Sequence, residues 1–217
     1  MKIIRALRTV NYRLWFAIFT TMLLPTVYQT VRIFFLGDMP SDSGINIASQ
    51  LQWVNLFYEV VQEALILPLF FLLGKSIDNR DEFANKVRTG LIVTAIIYAM
   101  VSVIVMLCAR PLVVLMAQDT ALSDATVTYV RLETVAALFS TLWRFMMTVL
   151  VTLKKDKYIY IVLIIQMVLS VLLDTFLISN LAVSAKLGVN GIAVTNIIVN
   201  AVILGCSILL LYRENIR

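Results

Sequence analysis

Charged and amide side chains stand out in this sequence because nearly everything around them is apolar. Between positions 47 and 73, Gln52, Asn55, Glu59, Gln62 and Glu63 recur at spacings of three and four, which on an α-helix draws one polar stripe along an otherwise apolar surface. Two carboxylates in that stripe point to a wet cavity that suits a cationic compound; the alternative is a helix seam joined by hydrogen bonds. Further on, Gln166, Ser170 and Asp174 repeat every four residues and share a helix face. An ionisable side chain inside a membrane span costs about 2.5 to 3.5 kcal/mol on insertion scales, so Asp174 needs a partner, water or a function. Counting inward from the expected span ends brings Arg32, Asp174 and Thr195 to one depth, with Glu133 as a candidate fourth member. A pair between Arg32 and Asp174 would keep the carboxylate ionised against the cost of burial and make it a proton- or cation-responsive group. In the competing reading Arg32 snorkels to the nearer interface and Asp174 stays hydrated. Glu63 and Arg144 form a second candidate pair toward the opposite side.

The elements that carry these residues follow from length and composition. Of 217 residues, 61% are hydrophobic and 14% charged, against about 25% charged in an ordinary soluble domain. Runs of roughly 20 apolar residues suffice to cross a bilayer, and six fit: about 14 to 36, 47 to 73, 87 to 107, 127 to 153, 158 to 178 and 190 to 212. The expected fold is an all-α membrane protein of six transmembrane helices, a single lobe over residues 1 to 217. Thirteen of the eighteen Lys and Arg residues fall in the N-terminus, the second and fourth loops and the tail, among them Lys2, Arg5, Arg8, Arg13 and Arg217, while the opposite loops hold only Arg110 and Lys186. The positive-inside rule then puts both termini in the cytoplasm and the chain in the cell membrane as a multi-pass protein. The net charge of +5 is accounted for by this orientation, and no segment is polar and long enough for a soluble catalytic or nucleic-acid-binding domain.

Other patterns narrow the chemistry. The sequence has no histidine, and its two cysteines, Cys108 and Cys206, lie far apart in apolar surroundings; neither a Cys/His metal site nor a disulfide framework is expected, and no cofactor. The first apolar run is too long for a signal-peptide core and reads as a retained span. Gly74-Lys75-Ser76 ends like a phosphate-binding loop, but Leu69 stands where the first glycine is required and no strand precedes it, so coupling to an ion gradient or passive lipid movement is a better mechanism class than ATP hydrolysis. Pro25 and Pro68 are candidate kinks, Arg110-Pro111 is expected to end the third span with Leu112 to Met116 at the interface, and Gly188 and Gly191 are expected to let helices approach closely.

Four segments resemble the multidrug and toxic compound extrusion (MATE) family. Val31-Arg32-Ile33-Phe34-Phe35-Leu36-Gly37 is similar to its Val-Asp-x-x-Phe-Val-Gly. Gly74-Lys75-Ser76 followed by Asp78 to Val87 resembles its Gly-Ala-Gly-Asp-x-x-x-Ala-x-x-Val connector. Ser170 to Ile178 resembles Asn-x-x-Leu-Asp-x-x-Leu-Ile, and Gly188 to Thr195 resembles Gly-Val-x-Gly-Ala-Ala-x-Ala-Thr. The resemblance implies one lobe of a twelve-helix antiporter that exports organic, often cationic, compounds in exchange for H+ or Na+. The family's lobe site for cation or proton, an acid, an Asn, an Asp and a Thr, falls here on Arg32, Ser170, Asp174 and Thr195, with Arg replacing the acid and Ser the Asn. Ala17 stands where the first span usually has its proline. The other half would come from a second six-helix chain or a homodimer partner, unless the sequence is a piece of a longer one. The implied partners are membrane lipid and a small-molecule cargo. Other readings are a lipid-linked saccharide flippase of the same superfamily and a non-transporting half-transporter subunit.

Overall fold

The computed structural model describes residues 12–37 and 43–213. Among the described residues it holds six helices and no strand: α1 Tyr12–Gly37, α2 Ser43–Lys75, α3 Arg80–Leu115, α4 Ser123–Thr152, α5 Asp156–Leu177 and α6 Val189–Arg213. Even the shortest, α5 with 22 residues, reaches about 33 Å at the helical rise and clears a hydrocarbon core of roughly 30 Å. Helices α2 to α6 each contain an 18-residue window apolar enough to cross a membrane. With 26 residues, α1 has the length to do so. Lys2, Arg5, Arg8 and Arg217, which enter the expected charge count, lie outside the described residues, as do the side chains of Arg13, Ala17 and Pro25.

Local sequence sets the helix ends. At the start of α3 the Asn79 side chain accepts a hydrogen bond from the Glu82 N–H at 3.2 Å, and Asp81 and Glu82 in the first turn favour the positive end of the helix dipole. Lys75 and Arg213 occupy the last turns of α2 and α6, where a cation meets the negative end. Pro111 does not stop α3: the helix continues through it to Leu115. The expected break fails because Ala109 and Val113 on either side are 0% and 1% exposed, and their packing offsets the hydrogen bond that proline removes. Leu112 to Leu115 is therefore the last turn of a helix, with Met116 as its cap. Helix α2 likewise continues through Pro68.

The helices alternate in direction. One apolar cluster gathers Leu36 at the end of α1, Ile47 near the start of α2, Val113 at the end of α3, Val127 near the start of α4, Ile178 just past α5 and Ile192 near the start of α6. A second gathers the opposite ends through Leu73, Phe83, Leu150, Ile159 and Leu211. Outward-facing side chains such as Phe71, Leu107 and Leu209 are at least two-thirds exposed, as expected where lipid is the solvent. Helix α4 is the axis of the packing: 44% of its spanning window is buried, against 17 to 33% for the other four spans. It packs on α2, α3, α5 and α6, while α1 leans on α5 and α2.

The two glycines around the start of α6 have different jobs. A Cβ on Gly191 would lie 3.1 Å from the Leu177 carbonyl oxygen and 3.1 Å from Ile178 Cγ1, so this position makes the close approach of α6 to the end of α5. Gly188 has open space around it and instead supplies a backbone φ of +60° that other residues adopt at a cost.

Candidate functional site

Helices α1, α4, α5 and α6 meet in a buried polar chain. Arg32 on α1 grips Asp174 on α5 with a two-pronged contact: its Nε–H donates to Oδ2 at 2.8 Å and its Nη2 donates to Oδ1 at 3.3 Å. The side chains are 13% and 2% exposed, which makes this a desolvated, geometrically matched pair rather than a surface contact. The third arm of the guanidinium, Nη1, donates to Asn196 Oδ1 on α6 at 2.9 Å. Asn196 Nδ2 in turn donates to Glu133 Oε1 on α4 at 2.6 Å. Because Arg32 can only donate and a carboxylate only accept, the amide of Asn196 has one orientation that satisfies both. The Tyr28 ring, one turn back along α1, lies 5.9 Å from the guanidinium carbon and shields a face of it.

A cavity of about 290 Å³ opens beside this chain. Arg32, Glu133 and Asn196 form part of its wall, α2 contributes Asn55, Glu59 and Gln62, and α5 contributes Gln166 and Ser170. On the α4–α6 side, Trp143 Nε1 donates to Asn200 Oδ1 at 3.0 Å, and Asn200 Nδ2 donates to the Ala136 carbonyl at 3.3 Å. Arg144, also in the wall, is held by Gln62: with its amide oxygen turned toward the guanidinium, Gln62 accepts from Nη1 at 2.9 Å and from Nε at 3.3 Å. Here is an amphoteric, hydrogen-bonding chamber within helices whose outer faces are apolar, suited to holding a polar solute at membrane depth.

The MatE family model matches residues 17–176, which carry both carboxylates of the polar chain and its arginine. The chain belongs to the MatE family. It is a multi-pass membrane protein and a MATE-type transporter, as the members of this family are transporters and not enzymes. Comparisons with curated proteins and with solved structures gave no match.

Arg32 and Asp174 are brought together, and Glu133 joins them through Asn196. Ser170 is 3% exposed and lines the cavity. Thr195 is fully buried, and its hydroxyl has no hydrogen-bond partner among the described residues. Its neighbour Asn196 faces the arginine instead, since consecutive helical residues point about 100° apart and only one of the two can do so. Of the α2 stripe, Asn55, Glu59 and Gln62 line the cavity, whereas Gln52 and Glu63 are exposed and lie off its wall. The expected pair between Glu63 and Arg144 is replaced by the Gln62 contact; ion pairs among the described residues join Arg32 to Asp174, Lys86 to Glu82 and Arg110 to Asp124. The same rotation explains this: Gln62 and Glu63 point in different directions, and α4 meets the former.

Asn196 and Asn200 were missed by sequence reasoning. Their signal is present, however: two asparagines one turn apart in an apolar helix share a face that must satisfy four donors and two acceptors.

Proposed function

We propose that this MatE protein is a secondary antiporter that exports organic compounds bearing a cationic group in exchange for H+, working in the cell membrane with both termini cytoplasmic. The observation that supports the coupling is the Arg32–Asp174 pair, which ties α1 to α5 beside a polar cavity that Arg32 lines. A proton arriving at Asp174 removes the charge that holds Arg32. The α1 to α5 contact then loosens, and the energy of the pair becomes available to bias one arrangement of the helices over another. Na+ suits this place less well, because both oxygens of Asp174 already accept from a guanidinium whose fixed positive charge repels a second cation. Thr195 and Ser170 complete the region in which this exchange occurs.

Glu59 receives the cationic part of the cargo, supported by Asn55 one turn away on α2 and by Gln166 on α5. Cargo movement requires the cavity to open alternately to either side, by rocking of this six-helix lobe against a second one, provided by another copy or a separate half. The exposed polar residues Gln52 and Glu63 on α2 favour such a partner, since lipid would leave them unsatisfied. Efflux of a cationic dye from proteoliposomes tests the reading. A pH gradient is expected to drive it, a Na+ gradient is not, and Asp174→Asn is expected to abolish the pH-driven component.

A further inference from the structure

Arg144 is placed unlike the other intramembrane arginine of the cavity. It lies eight residues before Thr152, the end of α4, or about 12 Å into the helix. Two of its nitrogens go to a single neutral oxygen, that of the Gln62 amide. Gln62 is itself fixed: it is 7% exposed, and its other amide atom lies 3.4 Å from Thr141 Oγ1, which donates to the Ala137 carbonyl at 3.0 Å. The amide orients the guanidinium without neutralising it. No carboxylate among the described residues forms an ion pair with Arg144, and the guanidinium's Nη2 has no hydrogen-bond partner among them. The guanidinium is exposed in the cavity wall, oriented but not neutralised, and so is open to an anion that enters.

The complementary charge is close by on the same wall. Glu59 precedes Gln62 by three residues, one turn along α2, and lines the cavity with no ion pair or hydrogen bond to any described residue. The cavity wall thus carries one unmatched positive and one unmatched negative group, and Gln62, the partner of the first, lies a helical turn from the second.

Resting on the exporter reading, we propose that Arg144 is an anion subsite and that the cargo is zwitterionic, its cationic group meeting Glu59 and a carboxylate meeting the guanidinium fork. A planar guanidinium matches a carboxylate with two parallel hydrogen bonds, and Gln62 leaves it a nitrogen with which to start one. A purely cationic cargo would satisfy Glu59 and leave Arg144 repelling it. A zwitterion satisfies both groups and leaves the occupied chamber with no net added charge, which eases its passage through a low-dielectric surrounding.

A matched pair of dyes separates these cases: a rhodamine with a free carboxylate, and its methyl ester, which keeps the cation and loses the anion. Binding is read by fluorescence polarisation on the full chain in lipid nanodiscs. The wild type is expected to hold the free acid about tenfold more tightly than the ester, R144Q to lose that preference by weakening the acid alone, R144K to retain part of it, and E59Q to weaken both dyes. Each variant is compared by size exclusion and thermal midpoint, and R144K carries the test if R144Q does not fold. A wild type that binds the two dyes equally or binds neither, or an Arg144 variant with the wild-type preference for the acid, overturns the subsite. Gradient-driven efflux that is absent while the preference for the acid remains overturns the exporter reading and leaves the subsite standing.

Discussion

Arg32 and Arg144 lie on the same cavity wall, and the protein treats them oppositely. Arg32 spends its guanidinium on a carboxylate and an asparagine that leads to a second carboxylate. Arg144 has a glutamine, a neutral partner, and space. The contrast separates two arrangements of charge inside a membrane: one matched by the fold itself, whose release is proposed to drive the helices, and one that the fold leaves without a counter-charge. Removing a partner from the first should therefore damage the fold, while neutralising the second should not.

Asp174→Asn is the harshest break in this scheme. It leaves Arg32 buried without its counter-charge, a loss of about 3–5 kcal/mol for pairs of this kind, seen as a marked fall in thermal midpoint. The double variant Arg32→Gln with Asp174→Asn removes both charges and is expected to recover much of that stability while remaining inactive in gradient-driven efflux, which would assign the pair to coupling rather than to folding alone. Asn196→Ala should come next, at about 2 kcal/mol, because it takes one hydrogen bond from a cation and one from a carboxylate.

Tyr98→Phe provides a neutral yardstick. The Tyr98 hydroxyl donates to the Tyr58 carbonyl at 2.6 Å in a fully buried position, and its loss is expected to cost about 1 kcal/mol with efflux unchanged. Smallest of all should be Arg144→Gln, which removes a charge that no carboxylate among the described residues matches; its stability is expected to stay within about 0.5 kcal/mol of the wild type. A loss as large as that of Asp174→Asn would erase the distinction between the two arginines.

Much of this arrangement was legible in the sequence because depth along a helix can be counted. Six apolar runs marked the helices to within a few residues, apart from the third, and counting inward placed Arg32 level with Asp174. Rotation about the helix axis was not legible in the same way. Thr195 and Asn196 differ by one position and point to different neighbours, so depth alone could not choose between them. Gln62 and Glu63 posed the same problem opposite Arg144, and a preference for pairing opposite charges selected the wrong one. The α3 end was misread for a different reason: Pro111 carries a local signal to stop, and the tertiary packing of Ala109 and Val113, which overrides it, is invisible in the chain order.

The central claim, that release of the Arg32–Asp174 pair by a proton couples a gradient to export, is tested most directly by gradient-driven efflux from proteoliposomes. Efflux of a preloaded cationic dye is followed after imposing an inward proton gradient on the wild type and on the Arg32→Gln, Asp174→Asn double variant, which keeps the buried site free of net charge. Proton-driven efflux in the wild type and only passive leakage in the double variant is the predicted result. Equal gradient-driven rates in both proteins, or no response of the wild type to the gradient, would contradict it.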